Sequence, residues 1–158
     1  MVMKLDIKKL IKSIAIPLAV GAVSGFLTQS GVEDFNSDAV KPFFMPPGWL
    51  FPVVWTVLYI LMGVAVYFID TSTSQKDKKT AFILYYLQLL FNFLWSFIFF
   101  SAENYLFAFI WIVILLALIL ATTVEFYKIE PKAAFLMIPY IIWVTFASVL
   151  NFSVYLLN

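Results

Sequence analysis

The chain has 158 residues, with ten positive and nine negative charges, and is 64% hydrophobic but only 12% charged, where soluble proteins run at roughly 45–50% apolar and about 25% charged. A soluble globule could not hide that much apolar surface, and a net charge of +1 offers no basic face for nucleic acid. With neither Cys nor His, the chain has no disulfides, thiolate nucleophiles, imidazole zinc ligands or His general base, and no metal site is expected.

A bilayer-crossing helix needs about 20 apolar residues. Five uncharged runs qualify: Ser13 to Gln29, Trp49 to Ile69, Ala81 to Ala102, Leu106 to Val124 and Ala133 to Leu157. The predicted fold is all-α, a bundle of five transmembrane helices forming a single membrane domain over residues 1–158 and surrounded by the lipid bilayer.

The first run follows Lys4, Lys8, Lys9 and Lys12 and has the outline of a signal peptide, with Ala22-Val23-Ser24 as a cleavage-like site. It is read as a retained span on the strength of the resemblance given below. Gly21 and Gly25 form a GxxxG pattern within it, suited to close packing inside the monomer or between two copies. The connection from Ser30 to Pro46 is much the longest, and loops of that length are usually functional. The third and fourth spans are joined only by Glu103-Asn104-Tyr105, so they should be antiparallel neighbours.

Cytoplasmic loops carry the excess of positive charge. With the N-terminus inside, nine of the ten Lys lie on the cytoplasmic side and only Lys41 lies outside. The expected orientation is N-terminus cytoplasmic and C-terminus outside, in the cell (inner) membrane, with the long first loop over the outer mouth of the bundle.

No Asp, Glu or Lys falls within the five runs, and intramembrane charges are the usual mark of ion-coupled transport. The polar residues inside the spans are uncharged. In the third, Tyr85, Gln88, Asn92 and Ser96 recur at helical spacing beside Trp95. That stripe must face protein or a cavity, either as interhelical hydrogen bonding or as the polar patch of a ligand pocket. Trp55, Tyr59 and Gly63 line one face of the second span. Tyr140, Trp143, Ala147 and Asn151 line one face of the fifth, where Pro139 is expected to kink the helix. Aromatic faces with a few amides make a slot for a flat conjugated ring. Trp49, Tyr67, Tyr105 and Tyr155 fit an interfacial belt, whereas Trp55, Trp95 and Trp143 lie too deep for one. Val124, Tyr127 and Lys132 match a loose sterol-recognition pattern that is common at helix ends.

The stretch Lys41-Pro42-Phe43-Phe44-Met45-Pro46-Pro47-Gly48-Trp49, followed by Trp55-Thr56-Val57-Leu58-Tyr59 and Gly63, resembles the signature loop and second helix of the TspO/MBR family. Two further blocks agree in order: Gln88 to Ser96, and Ile138-Pro139-Tyr140 through Trp143 to Asn151. The resemblance implies a five-helix membrane protein, usually a homodimer, that binds protoporphyrin, haem or other lipophiles under its first loop and requires no cofactor. Residue by residue it implies pocket or near-pocket roles for Trp55, Tyr59, Asn92, Trp143 and Asn151, and a rigid entry to the second helix at Pro46 and Pro47. Phe44, Gln88, Trp95, Tyr140 and Ala147 complete the candidate ligand-binding set. Trp55 and Trp143 match a tryptophan pair linked in some relatives to light-dependent porphyrin breakdown, the one route by which the protein would be catalytic. The chain departs from the family where it has Phe44 for the usual Trp and Phe35-Asn36 for a Trp-Tyr pair, which alters the contacts of the first loop with a ligand. It also lacks the basic residue that would complete a C-terminal sterol motif after Tyr155.

The leading expectation is a receptor or sensor whose pocket, formed by the first, second, third and fifth spans, takes metal-free protoporphyrin more readily than haem, since the commonest axial ligands are missing. The alternatives are a transporter of porphyrin or another lipophile, and a structural protein whose aromatic slot only packs helices.

Overall fold

The computed structural model describes residues 5–158, so the Lys4 of the orientation argument lies outside the described residues. The elements in order are α1 (Ile7–Leu27), α2 (Gln29–Asp38), α3 (Leu50–Thr71), α4 (Lys79–Ser96) continued by a π-helical turn (Phe97–Ser101), α5 (Tyr105–Ile129) and α6 (Pro131–Leu157). Five of these helices, counting α4 with its π turn as one, are long and apolar enough to cross a membrane. All begin or end outside the uncharged runs. α1 starts six residues before Ser13 because the Asp6 side chain accepts from the Lys9 backbone N–H, and the lysine stems of this first turn can lie along the apolar bundle with their heads in water. α5 runs on to Ile129 through Glu125 and Lys128, which pair at one end.

The helices form a ring in which α1 packs on α3, α3 on α6, α6 on α5, α5 on α4, and α4 back on α1. The antiparallel neighbours joined by Glu103 and Asn104 are thus adjacent. Glu103 takes a left-handed φ of 50° and ends the π turn. The Asn104 side chain then caps α5 by accepting from Phe107 N–H at 3.1 Å. α1 is built into the ring at Gly63, where an added Cβ would meet the backbone of Ser13 and Ile14. α6 is continuous through Pro139.

Two expectations are corrected. The long first connection is not an irregular loop: its first half is the ten-residue helix α2. Thr28, Gly31, Val32 and Phe35 recur there at helical spacing and face the bundle, with Glu33, Asp34 and Ser37 exposed. Tyr67 is not an interfacial side chain: it is 3% exposed, and its hydroxyl accepts from Asp6 N–H at 3.0 Å, fixing the start of α1.

Candidate functional site

Under α2 lies a cavity of about 630 Å³, within the range of roughly 300–1,000 Å³ usual for small-molecule sites. α1, α3, α4 and α6 wall it, with α2 and the following loop above, while α5 contributes nothing. Small residues create the space. Gly21 receives the ring of Tyr59, leaving no room for a Cβ, and Gly25 opens on the cavity with nothing within 4 Å of an added Cβ. Both glycines of the GxxxG pattern thus border the cavity.

The aromatic walls come from three helices. Trp55 stacks on Tyr59 at 5.6 Å and 30° and meets Tyr140 edge-on at 6.2 Å. Trp143 is edge-on to Phe51 at 5.7 Å. Trp95 stacks on Phe99 at 5.0 Å and donates its indole N–H to Asn151 Oδ1 at 3.1 Å, whose Nδ2 in turn donates to the Tyr105 carbonyl at 2.8 Å. Each contact fixes a ring plane, so the walls are preorganised rather than loose.

One hydrogen-bonded chain crosses the bundle. The Tyr59 hydroxyl donates to Asn92 Oδ1 at 2.7 Å, and Asn92 Nδ2 donates to the Tyr140 hydroxyl at 2.8 Å. Tyr140 donates to Gln88 Oε1 at 2.8 Å, and Gln88 Nε2 faces the Met62 sulfur at 3.8 Å. Every member is buried. The chain meets the demand that amides in an apolar interior find partners, and it couples α3, α4 and α6.

Of the candidate residues, Pro46, Trp55, Tyr59, Asn92, Trp95, Trp143, Ala147 and Asn151 lie on the cavity wall. Gln88 and Tyr140 stand behind it, as the far links of the hydrogen-bonded chain. Phe44 lies in the loop off the cavity wall, with its ring against the fully exposed Phe43, and Pro47 also lies off the wall, beside Pro46. The polar stripe of α4 thus serves both readings at once: Gln88 binds helices together, and Asn92 does so while facing the cavity.

The first loop was expected over the mouth of the bundle, but not as a helix seated on the π turn. Phe35 packs against Phe99 at 5.2 Å and Phe100 at 5.7 Å, and Gly31 brings α2 so close to the Phe100 carbonyl that a Cβ would collide with it. The π turn carries both phenylalanines to α2. Lys41 sits over the Phe35 ring at 5.5 Å, donates to the Asn36 carbonyl at 2.8 Å, and is the one cation on the cavity wall among the described residues. Beyond it, Asn158 pairs with both backbone groups of Val40 at 2.9 Å, tying the loop to the end of α6. The helical spacing of Thr28, Gly31, Val32 and Phe35 was the available signal for this roof.

Ala22, Gly25, Pro52 and Thr56, small or short side chains of α1 and α3, line the cavity and are accessible.

Residues 13–157 match the model of the TspO/MBR family. The chain is 39% identical to a tryptophan-rich protein TspO of Archaeoglobus fulgidus over 98% of its own length and 99% of the relative's. It is 35% identical to a tryptophan-rich sensory protein of Cereibacter sphaeroides over 80% and 78%, and 34% identical to the human translocator protein over 73% and 69%. Such matches along nearly the whole chain, on a bundle with five membrane-spanning helices, show that this multi-pass membrane protein belongs to the TspO/MBR family.

Proposed function

We propose that the protein binds a flat, lipophilic tetrapyrrole, metal-free protoporphyrin above all, as a membrane receptor or sensor. The observation that carries this reading is the cavity itself. Trp55, Trp95 and Trp143 wall a space of about 630 Å³ whose polar groups are few, with Tyr59 bonded to Asn92 and Trp95 to Asn151. Such a site favours stacking and dispersion over charge. Lys41 at the roof suits a ring carboxylate, and no His or Cys is present to ligate a haem iron. The wall holds no carboxylate, so ion-coupled transport is the weaker reading.

The test is a protoporphyrin titration of the detergent-solubilised protein, followed by Trp fluorescence, with the dimethyl ester as comparison. Saturable quenching at one equivalent is expected, with the free acid bound more tightly than the ester, and Lys41→Gln should abolish the preference at a cost of about 0.5–1 kcal/mol. Quenching that never saturates would favour the packing-only role.

The proposed orientation places the N-terminus in the cytoplasm and α2 outside, in the inner membrane, with two copies associating as the family resemblance implies. Eight described Lys gather at the end opposite α2, where Lys78 caps α3 by donating to the Asp70 and Ser72 carbonyls and Lys76 donates to the Lys128 carbonyl. A periplasmic reporter such as alkaline phosphatase should be active at the C-terminus, and activity of a cytoplasmic reporter there instead would reverse the assignment.

A further inference from the structure

At the lysine-rich end, away from the aromatic cavity, a second cavity of about 280 Å³ lies between α1, α3 and α4. Its rim holds Lys9, Lys12 and Asp70, and its wall includes Ile16, Val66, Phe82 and Tyr85. Lys9 pairs with Asp70 at 3.2 Å, which cancels one charge of each sign. Lys12, exposed and in no ion pair among the described residues, leaves the rim net positive. Deeper in, Tyr85 is 1% exposed and stacked on Phe126 at 6.0 Å. Its hydroxyl has no hydrogen-bond partner among the described residues, although it is buried.

A buried hydroxyl without a partner costs free energy that an acceptor would recover. Here it lies below a net-positive rim and beside apolar wall residues, within a chain whose flanks face lipid. A cation above, a donor one to two turns further in and an apolar wall beside it are complementary to a phosphodiester, an ester carbonyl and the start of an acyl chain. We propose that this groove is a binding site for an anionic glycerophospholipid, with its phosphate on Lys12 and an ester oxygen accepting from the Tyr85 hydroxyl. Tyr86, edge-on to Tyr85 at 5.2 Å and 47% exposed, lines the same groove, and its outward rotation would admit that oxygen. Basic pockets between transmembrane helices commonly hold lipid headgroups in this way. The inference is independent of what occupies the aromatic cavity.

The experiment is native mass spectrometry together with thermal unfolding of the full chain in mild detergent. Phosphatidylglycerol, phosphatidylcholine of equal chain length, and inorganic phosphate are added separately. Retention of one phosphatidylglycerol and a rise in Tm larger than phosphatidylcholine gives are expected. Lys12→Gln should weaken phosphatidylglycerol binding by about fivefold, the scale of one lysine at an anionic surface, and leave phosphatidylcholine binding unchanged. Tyr85→Phe removes the unpartnered group without changing shape, so it should fold at least as well as the parent without lipid yet gain less Tm from phosphatidylglycerol. Equal binding of the two lipids, or a preference that survives Lys12→Gln, would overturn the site. A Tm rise from inorganic phosphate equal to that from phosphatidylglycerol would overturn its assignment to lipid.

Discussion

The two halves of the bundle are built from the same kinds of residue and reach opposite ends. Toward the lysine-rich end, Met62, Ala65, Ile69, Tyr85 and Phe126 are almost wholly buried around the contact of α1 with Gly63, and the groove at that end is only about 280 Å³. Toward α2, Trp55, Trp95 and Trp143 stand round a cavity. The difference lies in what faces each glycine. Gly63 lets two helix backbones touch, so the space it saves is filled. Gly25 and Ala22 face rings held elsewhere by their own hydrogen bonds and stacking, so the space they save stays open. The α4 stripe runs across the boundary, with Gln88 on the filled side and Asn92 on the open side.

The largest expected effect breaks the filled half. Replacing a helical Gly by Ala gains up to about 1 kcal/mol in propensity, but at Gly63 the new Cβ meets α1 backbone that cannot give way, and such overpacking costs about 1–3 kcal/mol. Gly63→Ala should therefore lower Tm in detergent and reduce the monodisperse fraction in size-exclusion chromatography. Gly25→Ala meets nothing and should keep or raise Tm while narrowing the cavity and weakening porphyrin binding. Equal stability of the two variants would remove the distinction between the halves.

A smaller effect separates the two amides of the stripe. Intramembrane hydrogen bonds are worth roughly 0.6–1.7 kcal/mol each, and Asn92→Leu strips partners from both Tyr59 and Tyr140. It should cost about 1–2 kcal/mol of stability and, by freeing Tyr59 at the cavity wall, on the order of 1 kcal/mol of ligand affinity. Gln88→Leu, behind the wall, should cost stability alone. If Asn92→Leu leaves binding per folded molecule unchanged, the whole stripe is structural.

The five spans were legible because an uncharged run of about 20 residues has few alternatives in lipid, and the deep tryptophans were legible because an interfacial belt could not explain them. Chain periodicity could not say which members of a stripe reach the cavity. Gln88 and Asn92 lie on one helical face, and only the arrival of Tyr140 from α6 separates them. Span ends were misjudged by several residues at Ile7 and Ile129, since Lys8, Lys9, Lys12, Glu125 and Lys128 are charged yet lie within helices. α2 was read as loop because ten residues carrying Glu33, Asp34 and Asp38 cannot span a bilayer. Its helix needs only a one-sided contact, made by Gly31 and Phe35. The π turn depends on how the chain leaves α4 at Glu103, which no composition signals.

The subtlest expected effect falls on Trp143, which shares a face of α6 with Ala147 and lies on the cavity wall beside Phe51 of α3. Its indole N–H is buried without a partner among the described residues, whereas that of Trp95 is bound to Asn151. Trp143→Phe therefore removes a group that makes no hydrogen bond in the protein and keeps most of the apolar area, so dark binding of protoporphyrin should fall only slightly, by under about 1 kcal/mol. A phenyl ring is much harder to oxidise than an indole, so if an excited porphyrin takes an electron from this side chain, light-driven loss of porphyrin absorbance should drop sharply in the same variant. Trp55→Phe should behave alike if both indoles flank one ring, with a larger loss of dark binding because Trp55 also stacks on Tyr59. Porphyrin absorbance under illumination, measured beside dark binding, decides between the outcomes. Equal photodegradation by the parent and both variants would leave the cavity as a binding site whose tryptophans supply surface and no electrons.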